Sequence, residues 1–225
     1  LGVRILNIET SAKKCTVALG NNTELLAHSE ASSAFMHSKE ITLLINALMV
    51  SANLDFNELN AVAVSSGPGS YTGLRVGLST AKALCYALDI PLIAIPTLKL
   101  IAHSQKNHNQ SFTIAVIDAR RDEVYYQVFD QELNASDNAT NLVLDSESLL
   151  KWQNSDHILC GDAADKAEKL IGKDKFRYVY YQPDAKDMIT LSCESYHDKN
   201  FEDTAYFTPF YLKPPNITKS KKPLF

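Results

Sequence analysis

The sequence predicts an α/β protein of two tandem lobes, each running β-β-β-α-β-α. Three observations carry that expectation. Short apolar runs bounded by turn residues alternate with stretches of helical periodicity. The order of those elements over 3–95 returns over 113–196. A polar stretch at 105–111 separates the two series.

In order, 3–8 and 15–19 are apolar runs with polar residues between, and Gly20-Asn21-Asn22 supplies turn chemistry before a third run at 24–28. After a polar break at 32–37, Ile41, Leu44, Ile45, Leu48 and Ala52 fall at helical spacing over 38–52. A buried-type strand at 61–65 leads into a glycine-rich turn at 67–73. A second helix follows, marked by Leu74, Gly77, Leu78, Ala81, Leu84, Cys85 and Leu88 and ending near Asp89. Pro91 closes this series, and 92–95 is a further strand. The second half reads as strands at 113–117, 123–129 and 141–144, a helix at 146–152, a strand at 157–160, a helix at 163–171, a strand at 177–180 and a helix at 184–196. Residues 130–140 form a polar loop.

Two such lobes are the plan of the actin/Hsp70/sugar-kinase superfamily, with its ribonuclease H-like lobes. The division expected is 1–104, a linker at 105–111, 112–213 and a basic tail at 214–225. The chain of 225 residues is 45% apolar and 21% charged with net charge −4, which is ordinary for a globular chain with its own core. No apolar run reaches membrane-spanning length, and the N-terminal run lacks the anatomy of a signal peptide. Residues 204–225 hold four lysines and no acid, leaving −8 on the rest. Such a tail suits nucleic acid or an acidic partner, or is simply solvated. Cys15, Cys85, Cys160 and Cys193 have neither metal nor redox spacing, and read as core residues of a reducing compartment.

The turn Gly67-Pro68-Gly69-Ser70-Tyr71-Thr72-Gly73 invites a phosphate reading, since backbone N–H groups at a helix start attract anions. It lacks the lysine of a Walker loop, is one residue too long for the dinucleotide pattern, and Pro68 removes a donor. The structural reading is a tight corner in which Ser70 or Thr72 caps the helix. Gly73 and Gly77, four apart, then open one helix face to a close neighbour, expected to be another helix. Gly69-Ser70-Tyr71 also fails the nucleophile-elbow pattern.

Several segments resemble the TsaB (YeaZ) family. The opening Ile5-Leu6-Asn7-Ile8-Glu9-Thr10-Ser11 is similar to the family start, although Glu9 stands where an Asp is usual. The ungapped stretch Ala61 to Gly77 is the family's mark. Ala81-Lys82-Ala83-Leu84, Ile90-Pro91, Asp118 to Tyr125 and Pro209 to Lys213 add to the resemblance. The resemblance implies the actin-like fold and a non-catalytic scaffold or activator subunit. With a TsaD-like catalytic subunit and a TsaE-like ATPase, that subunit supports formation of N6-threonylcarbamoyladenosine at position 37 of tRNAs reading codons that begin with A. It implies cytoplasmic location, a homodimer when alone, and contact with tRNA through the complex. Docking is expected through the first-lobe helices, at His37, Ile41, Leu44, Ile45, Leu48, Tyr71, Thr72, Gly73, Arg75, Val76, Gly77, Thr80 and Leu84.

The expected nucleotide site of such a fold is degenerate here, comprising Glu9, Thr10, Ser11, Asp118 and Gly161. The hairpins Glu9-Thr10-Ser11-Ala12 and Asp118-Ala119-Arg120 lack the glycine that lets a phosphate approach. No two histidines stand four apart, as the metal-holding pair of the catalytic sister requires. No resident cofactor or metal is expected, and ATP or ADP only at a shared interface in the complex. The competing readings are a small-molecule kinase or ATPase of the same fold and a glycoprotein endopeptidase.

Overall fold

The computed structural model describes residues 2–31, 38–106 and 111–213. The first series is β1 (Arg4–Glu9), β2 (Thr16–Asn21), β3 (Glu24–Glu30), α1 (Ser38–Ser51), β4 (Ala61–Gly67), α2 (Tyr71–Leu88), β5 (Leu92–Pro96) and α3 (Thr97–His103). The second is β6 (Thr113–Asp118), β7 (Glu123–Phe129), β8 (Thr140–Val143), β9 (Ile158–Gly161), α4 (Ala164–Ile171), β10 (Arg177–Tyr180) and α5 (Ile189–His197). The sheets are ordered β3-β2-β1-β4-β5 and β10-β9-β6-β7-β8, so the second, read from its other edge, repeats the first. In each, an antiparallel three-strand meander continues into parallel strands. This is the two-lobed actin-like plan.

Both faces of the first sheet are covered, which is why its parallel strands read as continuous apolar runs. Leu6 and Ile8 of β1 and Val62 and Val64 of β4 pack with Ile41, Ile45 and Leu48 of α1. Ile5, Ala61 and Ala63 point the other way, onto Met188, Ile189 and Leu191. That second cover comes from the far end of the chain. In the opposite direction Leu98, Ile101 and Ala102 of α3 pack on Ala115, Ile117 and Cys160 of the second sheet. Packing therefore crosses the 105–111 stretch both ways. Ala185 N–H donates to Thr16 Oγ1 at 2.8 Å, and His28 Nε2 lies 2.8 Å from Asp184 Oδ1, fixing the returning segment to β2 and β3.

The helix α3 escapes periodicity because it is buried nearly all round, at Thr97, Leu98, Leu100, Ile101 and Ala102, and so shows no polar face. The helix expected over 146–152 reduces to one 3-10 turn, Leu150–Trp152. Local bonds hold 145–148 in a turn instead, with Glu147 N–H donating to Asp145 Oδ1 at 3.0 Å and Asp145 N–H to Ser148 Oγ at 2.8 Å. The helix expected over 184–196 is a 3-10 turn, Ala185–Met188, capped by Asp184 and followed by α5. All four cysteines are free and buried, and burial pushes the Cys15 thiol up to about 12 and the Cys85 thiol up to about 11.

The C-terminal segment 202–213 straps the lobes together. Glu202 bridges the edge of β5 at Leu92, and Ala205 O accepts from Lys82 Nζ at 3.0 Å on α2. Phe210 N–H donates to Ser66 O at 2.8 Å, and Lys213 pairs with Glu123 of the second lobe.

Met188 is fully buried between the returning segment and the first sheet. Met188→Ala is expected to lower stability by about 2–5 kcal/mol, read as the midpoint of urea unfolding. A negligible change would mean that the returning segment does not hold the first sheet.

Candidate functional site

The region between β1 and α2 is built around the turn that joins β1 to β2. At its entry, Ser70 caps α2, accepting from Gly73 N–H at 3.2 Å, while Ser70 N–H donates to Ser11 O at 2.7 Å. The three glycines of this corner each face that hairpin. A Cβ on Gly69 would lie 2.5 Å from Ser11 O, one on Gly73 2.0 Å from Thr10 O, and one on Gly77 2.2 Å from Thr10 Oγ1. Gly67, at φ +105°, takes the strap instead, with Phe210 O at 2.5 Å from the position of a Cβ. Gly73 and Gly77 were expected to serve a neighbouring helix or a partner. The close neighbour is the chain's own Thr10, so the space left by their missing side chains is filled from within the lobe.

Glu9, at the end of β1, is fully buried. Its Oε1 accepts from Ser11 N–H and Ser11 Oγ, each at 2.5 Å. Among the described residues its Oε2 and the Thr10 Oγ1 have no hydrogen-bond partner. Burial pushes the Glu9 carboxyl up to about 7, against the lowering pull of the Ser11 hydrogen bonds, with Asp184 adding repulsion. In the second hairpin, Asp118 Oδ1 accepts from Arg120 N–H at 2.8 Å and from Lys166. Lys166 also donates to Arg121 O at 2.7 Å and Glu123 O at 3.0 Å. Asp118 N–H donates to Asp162 Oδ1 at 2.8 Å, and burial holds the Asp162 carboxyl above its usual range. Gly161, at φ +145°, would place a Cβ 1.8 Å from Val116 O. Its bare Cα serves the neighbouring strand.

The five residues expected of a degenerate nucleotide site sit at or beside the ends of β1, β6 and β9; Ser11, one oxygen of Glu9 and Asp118 are turned to internal bonding, while Glu9 Oε2 and Thr10 Oγ1 are not. Ser11 closes on Glu9, a side-chain ammonium closes on Asp118, and the glycines admit backbone. They do not fit a cradle for a metal-bound phosphate. Among the described residues no three His, Cys, Asp or Glu side chains converge as metal ligands would.

The other expected site is the face of α1 and α2. Ile41, Ile45 and Leu48 are buried in the core of their own lobe, and Leu44, Val76 and Leu84 pack partly against it. Burial removes the first three from docking. Thr80 Oγ1 donates to Val76 O at 2.9 Å, and Thr72 is exposed. Arg75 donates to Tyr71 Oη at 2.9 Å and stacks over its ring, which in turn meets Tyr211 at 4.9 Å between centroids. His37 lies outside the described residues. The residues that stand out are others. Leu43 is 68% exposed and Val50 71%, with exposed Ala47 between them. At 100° per residue, 43, 47 and 50 share one stripe, about 200° round from Ile41. The signal was present in the sequence as a second apolar periodicity, masked by the stronger core stripe.

The family model described as TsaD, tRNA N6-adenosine threonylcarbamoyltransferase, matches residues 24–219. The chain is 26% identical over 231 residues to the tRNA threonylcarbamoyladenosine biosynthesis protein TsaB of Escherichia coli (strain K12), covering 98% of this chain and 99% of that protein. It is 34% identical over 134 residues to TsaB of Haemophilus influenzae, covering 59% of this chain and 56% of the relative. The solved structure of YeaZ from Pseudomonas aeruginosa shares the fold, with a TM-score of 0.80 at 22% identity over 93% of this chain and 100% of that one. The chain belongs to the TsaD family as that model describes it, and within it to the TsaB/YeaZ members.

Two outcomes are expected from the hairpin geometry. Gly73→Ala drives a Cβ into a backbone carbonyl, so it should cost about 1–3 kcal/mol by overpacking, although alanine gains about 1 kcal/mol of helix propensity over glycine. Urea unfolding decides it, and a variant more stable than wild type would mean that this helix face is open. For Glu9, the folded-state pKa stands above the unfolded one, so the folded chain holds the extra proton. Its contribution is full below the unfolded value near 4.5 and is lost as pH rises to about 7. Stability should fall across that window, by up to about 1.4 kcal/mol per pH unit, relative to Glu9→Gln. Parallel stability–pH curves for the two proteins would sink this reading.

Proposed function

We propose that this TsaB/YeaZ-like chain is an accessory, non-catalytic subunit in the formation of N6-threonylcarbamoyladenosine in tRNA. It docks a TsaD-like catalytic subunit through α1 and α2 and works with a TsaE-like ATPase, in the cytoplasm. The target in this reading is position 37 of tRNAs reading codons that begin with A. Alone, the chain pairs with a second copy through the same face. No helix among the described residues is long and apolar enough to cross a membrane.

The observation that carries the reading is the stripe Leu43–Ala47–Val50. A helix normally turns its apolar side inward, yet α1 has a second apolar line facing outward. Two bulky aliphatic side chains about 70% exposed are what a helix-pairing interface leaves bare when the partner is absent. The occupied hairpins support the non-catalytic half of the proposal. A kinase or ATPase of this fold needs a carboxylate free to hold a metal–nucleotide, and here Glu9 is fully buried with one oxygen tied to Ser11, while Asp118 is tied to Lys166. Any ATP or ADP belongs, in this reading, at the interface with the catalytic subunit. Nothing in the glycine corner supplies a nucleophile elbow for a peptidase, since Ser70 is spent as a helix cap.

The test is the double variant Leu43→Glu/Val50→Glu. Both positions are solvated, so folding stability should change by no more than about 0.5 kcal/mol per site. Burying either aliphatic at an interface is worth about 1.5–3 kcal/mol, so affinity for the TsaD-like subunit should fall at least tenfold. Co-purification and calorimetric titration read it. A complex that persists with wild-type affinity would place the docking face elsewhere.

A further inference from the structure

One surface combines features that neither the core nor the proposed docking stripe absorbs. Where the strap crosses from the first lobe to the second, the Tyr71 and Tyr211 rings lie 4.9 Å apart, and both remain more than a third exposed. Arg75 lies over the Tyr71 ring at 5.4 Å from its centroid, which holds that ring in place. Phe210, beside Tyr211, is half-exposed. Two residues further on, Lys213 pairs with Glu123, so the strap ends against the β6–β7 hairpin.

The tip of that hairpin is unusual. Arg120 and Arg121 are consecutive non-glycine residues with positive φ, 72° and 50°. Such a turn ordinarily uses Gly or Asn, because a Cβ is disfavoured there. Here two arginines are held in it, and neither guanidinium has a hydrogen-bond or ion-pair partner among the described residues. The nearby acids are largely answered: Glu123 by Lys213 and Asp118 by Lys166, leaving Asp122 exposed. Acids stand among these cations, but the charges of Asp118 and Glu123 are taken up by Lys166 and Lys213, while the two exposed guanidiniums are left without such a partner among the described residues.

We infer that this strap-and-hairpin edge is an RNA contact surface that receives unstacked nucleotides, with bases on the Tyr71–Tyr211 rings and phosphates on Arg120 and Arg121. Exposed rings flanked by cations are the arrangement by which proteins hold single-stranded nucleic acid, the ring supplying stacking and the cation phosphate attraction. A protein partner would favour an apolar centre sealed by a rim. This edge has charged side chains beside its rings, and its exposed aliphatic, Val143, stands singly opposite Glu123 rather than in a stripe of the Leu43–Val50 kind. The inference rests on the proposed role in tRNA modification, and it assigns part of the RNA contact to this chain.

The experiment is fluorescence anisotropy of the full chain with a labelled single-stranded oligoribonucleotide, and with tRNA, across a salt series. Wild type should bind saturably at low salt. The variant Arg120→Gly/Arg121→Gly keeps the positive-φ turn without strain, so it should fold. It should weaken binding about tenfold and flatten the slope of log K against log salt by about 1.4, at 0.7 per phosphate contact on a single strand. Tyr211→Ala should weaken binding by a similar factor with the slope unchanged, as loss of stacking does. Absence of saturable binding at low salt, or equal affinity in all three proteins, would overturn the inference. So would variants that keep RNA but lose the TsaD-like subunit, since the edge would then be a protein interface. Leu43→Glu/Val50→Glu serves as the control. It should keep RNA binding by the isolated chain whatever becomes of the complex, so failure of this inference and failure of the docking proposal are told apart.

Discussion

The approach of the β1–β2 hairpin to α2 governs much of what the first lobe presents. Thr10 sits where side chains of residues 73 and 77 would be, so α2 lies against the end of β1 at a distance only glycine permits. That seat fixes the direction in which α2 leaves the sheet. The direction of α2 in turn sets the partner against which α1 packs, and hence which side of α1 is left outward. It also positions Tyr71 and Arg75, at the first turn of α2, under the strap. A shift of the hairpin by an ångström would move α2, and with it both Tyr71 and the surface of Leu78 and Ala81 that shares a core with α1.

The second constraint is the return of the chain. α5 covers the first sheet and α3 the second, so neither sheet is complete without a segment from the other half of the sequence. This couples the lobes more tightly than the strap alone could. It also gives β4 its alternation of Ala61, Val62, Ala63 and Val64: valine faces the thick helical layer, alanine the closely packed returning segment. In actin-like enzymes the gap between lobes is where a nucleotide is held. Here bonds within the chain occupy its lips, with Glu9 closing on Ser11 and Asp118 on Lys166.

How much of this could be read from residue order follows from how each element is exposed. The tandem order was legible because the strands are short, punctuated by Gly, Asn and Pro, and separated by helices that each show one apolar face. α3 was not, since a helix buried on nearly every side has no polar face to mark its period. The 146–152 segment looked helical by composition, but Asp145 and Ser148 spend their side chains on local backbone and stop it. The glycine corner was legible as a corner with two candidate caps, Ser70 and Thr72, of which the fold uses Ser70. Its neighbour was not legible, because spacing reports that one face is bare but not what fills it. Thr10 is more than sixty residues away in sequence, and only the sheet brings it there. The outward stripe of α1 is hidden by arithmetic of the same kind: Ile41, Ile45 and Leu48 are the stronger apolar series, and they belong to the core.

That last confusion bears on how docking surfaces should be sought in chains of this fold. Residues that make a helix recognisable are those that fold it, so the most regular apolar positions belong to the core. A partner can use only what folding leaves over, and what is left over appears as an apolar residue at a phase where a solvated side chain would serve. Leu43 and Val50 are at that phase on α1. Arg120 and Arg121 are its counterpart in a turn, occupying a conformation that glycine would adopt at less expense in strain. In both places the residue works against the local rule of the element that carries it: the turn's backbone is held by Asp118 and Lys166, but the two guanidiniums, like the two aliphatic side chains, are left outward. The contacts proposed for them outside the folded chain differ in chemistry: aliphatic at the helix, anionic at the hairpin.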